Sequence, residues 1–243
     1  MAATGVRRAT RAPVPRPVPV VRATRPEQVV CWDISFLPGT FRGQHYALYL
    51  IIDLFSRKIL GWTIQHAEDA VIAADLMDDV LSKTTGRVLT VHSDNGSAMT
   101  SKAMAEVLGK HTVDQSLIRP SVSNDNAQME SLFRTVKYGP AYPGVFATID
   151  EAEQWFGGFA EAYNHAHHHT KLAGFTPGEV HDGSWIQVAR ARQEVLDAHW
   201  RAHPDRYRRR PQVRVPASVV GLNLGHDDHK THSPSTLLEL LAG

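Results

Sequence analysis

Val29-Val30-Cys31-Trp32-Asp33-Ile34-Ser35-Phe36-Leu37 is the stretch that decides how this chain is read. Seven of its nine residues are apolar or aromatic, and β-branched residues open it, the pattern of a buried strand. Asp33 sits at its centre. A carboxylate in the middle of a buried strand costs several kcal/mol unless a cation or strong donors meet it. Either something positive waits there, or the strand ends early and leaves Asp33 at an exposed edge.

Working outward, Pro38-Gly39-Thr40 makes a turn, and residues 46–54 and 58–64 read as a strand pair joined around Asp53 to Arg57. The first three strands therefore form an antiparallel meander. Residues 68–82 read as a helix with Ile72, Leu76 and Val80 inward and Asp75, Asp78 and Asp79 on a solvated face. A strand at 87–92 runs into Ser93-Asp94-Asn95-Gly96, Ser101 caps a helix to about Gly109, and 113–118 is a further strand. After a polar, mobile connection at 119–124 comes a helix over 126–138, stopped by Gly139-Pro140. Its Met129, Phe133 and Val136 share one stripe; Glu130, Arg134 and Lys137 share the next. Long helices follow at 150–169 and 184–202, the second with Trp185, Val188, Val195 and Leu196 inward, then an irregular basic segment and a short helix at 236–241.

The net charge of +1 hides two basic ends. Arg7, Arg8, Arg11, Arg16, Arg22 and Arg25 precede the first strand, among Pro13, Pro15, Pro17 and Pro19, which make a stiff extended arm. Arg201, Arg206, Arg208, Arg209, Arg210 and Arg214 follow the last long helix. Such ends fit a polyanionic partner. A single cysteine, Cys31, excludes an internal disulfide and fits a reducing compartment, and no apolar run approaches a membrane span. A cytoplasmic protein, nucleoid-associated in a bacterium, is expected.

Three strands, helix, strand, helix, strand, helix is the order of an α/β, ribonuclease H-like fold: a mixed five-stranded sheet flanked by helices, here with extra C-terminal helices. Three carboxylates hold suggestive places in it: Asp33 mid-strand, Asp94 at a strand's end and Glu130 in a helix's first turn, with 35 residues between the last two. Acids gathered in this way repel one another and call for cations. Phosphoryl transfer uses two divalent ions about 3.5–4 Å apart. Mg²⁺ or Mn²⁺, two per site, would take these oxygen ligands.

Cys-Trp-Asp-Ile-Ser (31–35), Ile-Asp-Leu-Phe-Ser-Arg-Lys-Ile-Leu-Gly-Trp (52–62), His-Ser-Asp-Asn-Gly-Ser (92–97) and Ser-Asn-Asp-Asn-Ala-Gln-Met-Glu-Ser-Leu-Phe-Arg-Thr-Val-Lys-Tyr (123–138) carry a resemblance. They resemble the integrase catalytic core of DDE insertion-sequence transposases, the two-frame kind that is kin to retroviral integrases. The likeness runs from about Thr24 to Gly183 and includes Tyr163-Asn164-His165 and Phe175-Thr176-Pro177-Gly178-Glu179. It implies that Asp33, Asp94 and Glu130 are the catalytic and metal-binding acids, that Lys137 contacts the transposon end, and that Arg134 joins it on phosphates. It also implies DNA strand cleavage at the element's ends, followed by attack of the freed 3′-hydroxyl on target DNA. Double-stranded DNA, a homo-oligomer and an upstream-frame helix-turn-helix product are the implied partners. Such relatives usually carry that helix-turn-helix ahead of the core, whereas this chain begins in the linker, as a downstream-frame product, a trimmed chain or a remnant would.

Blander readings compete at several residues. Asp53 could take the first metal position, but Ser56 and Arg57 beside it fit a turn. Asp125 is explained by capping the Glu130 helix. His165, His167, His168 and His169 invite zinc without a cysteine to support it, and the cluster His226, Asp227, Asp228, His229 reads as a solvated loop. His92 and Ser93 point to opposite faces of a strand, which argues against a hydrolase triad. The rival functions are a metal-dependent nuclease of the same fold and a catalytically silent DNA-binding remnant. The expected division is a basic arm at 1–26, the catalytic core at 27–183, and a C-terminal helix with a basic tail at 184–243.

Overall fold

The computed structural model describes residues 18–119, 123–225 and 235–242. Most of the N-terminal arm, the middle of the 119–124 connection and the His226 cluster lie outside the described residues.

The meander forms as expected. Strands β2 (Val29–Pro38), β3 (His45–Asp53) and β4 (Ile59–Gln65) pair antiparallel in sequence, with β1 kept for the short strand Val21–Ala23. Strands β5 (Thr90–Ser93) and β6 (Asp114–Leu117) add in parallel on the other side, giving the order β4-β3-β2-β5-β6. This is the mixed five-stranded sheet of the ribonuclease H-like fold. β3 is buried along almost its whole length because both faces are covered. Leu48, Leu50 and Ile52 pack toward helices α3 (Ala127–Tyr138) and α4 (Ile149–His165). Ala47, Tyr49 and Ile51 pack toward α1 (Ala70–Lys83) and α2 (Lys102–His111). Each fully buried Leu or Ile of this kind is worth about 1.5–3 kcal/mol.

The side of α1 that is buried differs from the expected stripe. Ala73, Ala74, Met77, Val80 and Leu81 are buried, while Ile72 and Leu76 are only half-covered. Small alanines let the helix approach closely, and Gly61 on β4 receives it: a Cβ on Gly61 would collide with the Val80 side chain. Gly61→Ala should therefore cost about 1–3 kcal/mol by overpacking. Urea denaturation checks this, and Val80→Ala in the same chain should restore part of the loss. If Gly61→Ala is neutral, the two elements are not in close contact.

Two later helices also depart from expectation. α4 stops at His165, so His165 and His169 do not share a helix face. Instead His169 turns inward near Arg57, and its Nδ1 accepts the Lys171 N–H at 3.2 Å. On α6 (Trp185–Ala202), Val195 points to solvent at 70% exposure, and the buried positions are Ala189 and Gln193. Gln193 lies on the core side because it binds backbone, accepting the Val213 N–H at 2.9 Å and donating to the Pro211 carbonyl at 3.0 Å. The intervening α5 (Pro177–Asp182) starts with a Thr176/Glu179 capping box.

Burial, then the Arg57 charge, pushes the His169 imidazole down from 6.5 to about 4. Between those values the unfolded chain binds a proton that the folded one refuses. Stability is therefore intact above about pH 6.5 and is lost as pH falls toward 4. Melting curves from pH 7 to 4 should show a shallower acid loss in His169→Gln than in the parent. Parallel curves would assign the loss to other groups.

One pairing carried no local signal, whereas the short helix expected at 236–241 forms. β1 pairs antiparallel with β7 (Val220–Leu222), joining the described end of the arm to the C-terminal segment. The short helix α7 (Leu237–Ala242) seats Leu237 in a small core with Phe175, Val180, Ala189, Val213 and Val215. Among the described residues no helix is long and apolar enough to cross a membrane.

Candidate active site

Alternation along β2 decides which way Asp33 faces. Val30 and Trp32 belong to the α1/α2 side, whereas Val29, Cys31 and Leu37 belong to the α3/α4 side. Asp33 and Ser35 therefore face α3. The strand does not end early, and among the described residues no basic side chain is hydrogen-bonded to Asp33: β2 continues to Pro38, but its pairing with β5 stops at Cys31↔His92. Past that point one edge of β2 is open. Two residues further in the same parallel register, Asp94 leaves β5 alongside Asp33.

The Asp33 carboxylate accepts the Ile34 N–H at 2.8 Å, and its other oxygen lies 3.5 Å from Asn126 Nδ2. Asp94 Oδ1 accepts the Gly96 N–H at 2.9 Å. Burial, followed by the Asp94 charge and then by smaller effects of Glu130 and Glu68, pushes the Asp33 carboxyl up to about 7. An acid is thus held in a negative hollow, and among the described residues no Lys or Arg is hydrogen-bonded to Asp33 or Asp94.

α3 brings the remaining groups. Met129, Leu132 and Val136 are buried on the sheet, which turns Glu130 outward in the first turn and leaves Lys137 in the last. Both charges suit their ends of the helix dipole. Lys137 Nζ donates to Ser35 Oγ at 2.7 Å, two residues along β2 from Asp33. Burial lowers its pKa, and the nearby Asp33 charge opposes that shift. An open groove of about 670 Å³ runs along Glu130, Phe133, Arg134, Lys137 and Tyr138. So Asp33 and Asp94 stand together, Glu130 is within electrostatic reach but on the exposed rim, and Lys137 and Arg134 flank the groove beyond it.

The acids suit a hard divalent cation by chemistry, since all are oxygen donors around uncompensated negative charge. Among the described residues, though, no three His, Cys, Asp or Glu side chains are gathered closely enough to hold a metal ion. Glu130 is the exposed member of the three.

Asp125 does not cap α3. Its buried carboxylate accepts Arg119 N, Nε and Nη2, each at 3.0 Å, and Asn223 Nδ2 at 2.8 Å. The Arg119 guanidinium holds the carboxyl far below the usual carboxylate range. His92 completes this brace. Its Nε2 lies 2.8 Å from the Asp125 carbonyl, which can only accept, so Nε2 carries the proton and Nδ1 accepts from Ser116 Oγ at 2.9 Å. Asp53 lies at the far end of the hairpin, opposite Val30, and is buried. It accepts from Glu27 N at 2.8 Å and from Ser56 N and Oγ at 2.6 Å, a turn-holding role. Cys31 is buried and its thiol is pushed up to about 12 by that burial, so it is no nucleophile.

Sequence reading missed Asn126 and Ser35. Asn126 is buried beside Asp33, and its Oδ1 has no hydrogen-bond partner among the described residues. The available signal was a polar residue one turn before Glu130, at the start of an otherwise apolar helix face.

Two family models, each described as integrase core domain, match residues 23–123 and 111–177. The chain belongs to the integrase core domain family. This integrase core is 32% identical over 145 residues to the transposase for insertion sequence element IS904 of Lactococcus lactis, covering 59% of this chain and 56% of the relative. It is 28% identical over 157 residues to the transposase InsF for insertion sequence IS3A of Escherichia coli K12, covering 64% and 54%. The chain thus spans a little over half the length of the curated relatives it matches. Among solved structures, it superposes on a chain of the simian T-cell lymphotropic virus intasome in complex with PP2A regulatory subunit B56 gamma. That match has a TM-score of 0.56 at 18% identity and covers 70% of this chain and 60% of that chain. The catalytic core domain of BIV integrase matches with a TM-score of 0.50 at 18% identity, over 66% and 97% of the two chains. At these identities the structural likeness speaks for the fold.

Proposed function

We propose that this chain is the catalytic unit of an insertion-sequence transposase, which cuts DNA at the element's ends and joins the freed 3′-hydroxyl to target DNA. The observation that carries the reading is the pair Asp33 and Asp94, side by side at the open edge of β2, with Glu130 and Lys137 on the helix that faces them. Asp33, Asp94 and Glu130 would hold Mg²⁺ or Mn²⁺, two per site. Such ions, when bound, offset the charge on the reacting phosphodiester and ease deprotonation of the attacking oxygen.

The chain's own residues do the positioning. The Ile34 N–H and the Asn126 amide orient Asp33, and the Gly96 N–H orients Asp94. The Asp125–Arg119–Asn223 brace fixes the chain just before α3 and so the rim on which Glu130 stands. Lys137 exchanges Ser35 for a phosphate oxygen when DNA enters, and Arg134 supplies a second contact on the groove. Two element ends must be brought together, which asks for an oligomer, and an upstream-frame helix-turn-helix product would read the ends. Work on chromosomal DNA inside the bacterial cell agrees with the lone, buried cysteine.

The test is strand transfer: the chain, together with its helix-turn-helix partner, is incubated with labelled terminal-repeat DNA, target plasmid and Mg²⁺. Joined products that vanish on chelation are expected. Cleavage of any duplex without joining would favour a nuclease instead.

A further inference from the structure

At the C-terminal edge of the family-matched residues and beyond it, the chain builds a second groove that the catalytic reading does not use. After α6, Val213 and Val215 are buried in the small C-terminal core, so the extended backbone between them pushes Arg214 outward. This segment is fixed by backbone. Val215 N–H donates to the Ser235 carbonyl at 3.2 Å, and Leu237 N–H to the Val213 carbonyl at 2.9 Å. Between it, α7 and the turn at Thr170–Leu172 opens a groove of about 920 Å³. Among the described residues its charged lining is Lys171, Arg209, Arg210 and Arg214 against the single acid Glu239.

Two of those charges are engaged already. Arg210 is paired with Asp197, Nε to Oδ1 at 2.8 Å. The Glu239 carboxylate accepts from Ser235 N at 2.7 Å, Ser235 Oγ at 3.0 Å and Thr236 N at 3.2 Å. The side chains of Lys171, Arg209 and Arg214 are left exposed, with no side-chain hydrogen bond or ion pair among the described residues. Three unpaired cations facing one open trough, with hydroxyls between them, suit an extended polyanion better than a compact ligand.

We infer that this groove holds the sugar–phosphate backbone of a second DNA segment, independently of its sequence, through Lys171, Arg209 and Arg214. The inference rests on the transposase reading for the choice of DNA as the polyanion. A solvated basic tail would show the same composition, but here the arginine-bearing segment is locked to Gln193 and to α7.

The experiment is fluorescence anisotropy of a labelled duplex of arbitrary sequence, titrated with the full chain over a range of KCl concentrations. Each phosphate contact contributes about 0.9 to the slope of log affinity against log salt. The triple variant K171A/R209A/R214A should bind with a slope shallower by about 2 to 3. The charge-keeping variant K171R/R209K/R214K should retain most of it, and circular dichroism melting shows that both are folded. An unchanged slope in the folded triple alanine variant overturns the inference. So does a triple variant that keeps DNA affinity but loses binding to polyglutamate, which would make an acidic protein the occupant. Strand transfer is measured separately. A parent chain that never joins DNA, yet shows the slope change, loses the transposase reading while the groove stands.

Discussion

Asp33→Asn should abolish strand transfer while the folded chain melts at an equal or higher temperature in metal-free buffer at pH 8. The activity loss should exceed the roughly 10–100-fold that follows from changing a mere outer partner of a metal ligand. Stability moves the other way because the carboxylate is a liability to the fold. Burial and the Asp94 charge hold its pKa at about 7 against 3.8. The sign follows from linkage: from about pH 4 upward the unfolded chain releases this proton more readily than the folded one. The cost therefore grows until about pH 7 and is fully present above it. Asn keeps the size and the contact to Ile34 and carries no charge. A calorimetric melt showing Asp33→Asn much less stable at pH 8 would make the residue structural and remove it from the candidate site.

Lys137→Ala should cost about 100-fold in strand transfer, the scale on which a slightly misplaced reacting group slows an enzyme. The lysine is tied to Ser35, so it is less free than a solvated helix charge, and a stability loss of about 1 kcal/mol is expected from that hydrogen bond. Ser35→Ala separates the two roles. It removes the same hydrogen bond but leaves the ammonium free to meet phosphate, so it should match Lys137→Ala in urea melts and keep most of the joining activity. Lys137→Arg should recover only part, because a planar fork and a compact ammonium present charge differently. Full joining by Lys137→Ala would reduce the residue to a fold contact.

How much of this was legible beforehand follows from the range of each interaction. The meander, the buried Met129 and Val136 of α3 and the Ser101 cap all rest on neighbours within a few residues, where periodicity and capping preferences act; Leu132, not the expected Phe133, completes that stripe, and Phe133 lines the groove instead. The α1 stripe and the outward Val195 were misread because helical periodicity shows which positions are apolar and not how closely a partner approaches. Gly61 and the Gln193–Val213 bond set those approaches from elsewhere in the chain.

The sequence by itself determined the order of the core strands and helices and the family they point to, and it singled out three acids as candidates. Only the tertiary structure decided what surrounds them. The β2–β5 pairing stops two residues short of Asp33, so Asp33 and Asp94 share an open strand edge, and no local pattern records where a neighbouring strand stops. Asp125 abandoned its helix for Arg119 and Asn223, the latter 98 residues away. β1 found β7 across nearly the whole chain. The physical reason is the same in each case: a buried carboxylate or an unpaired strand edge must be satisfied by whatever the fold brings near, and that partner leaves no mark in the adjacent sequence.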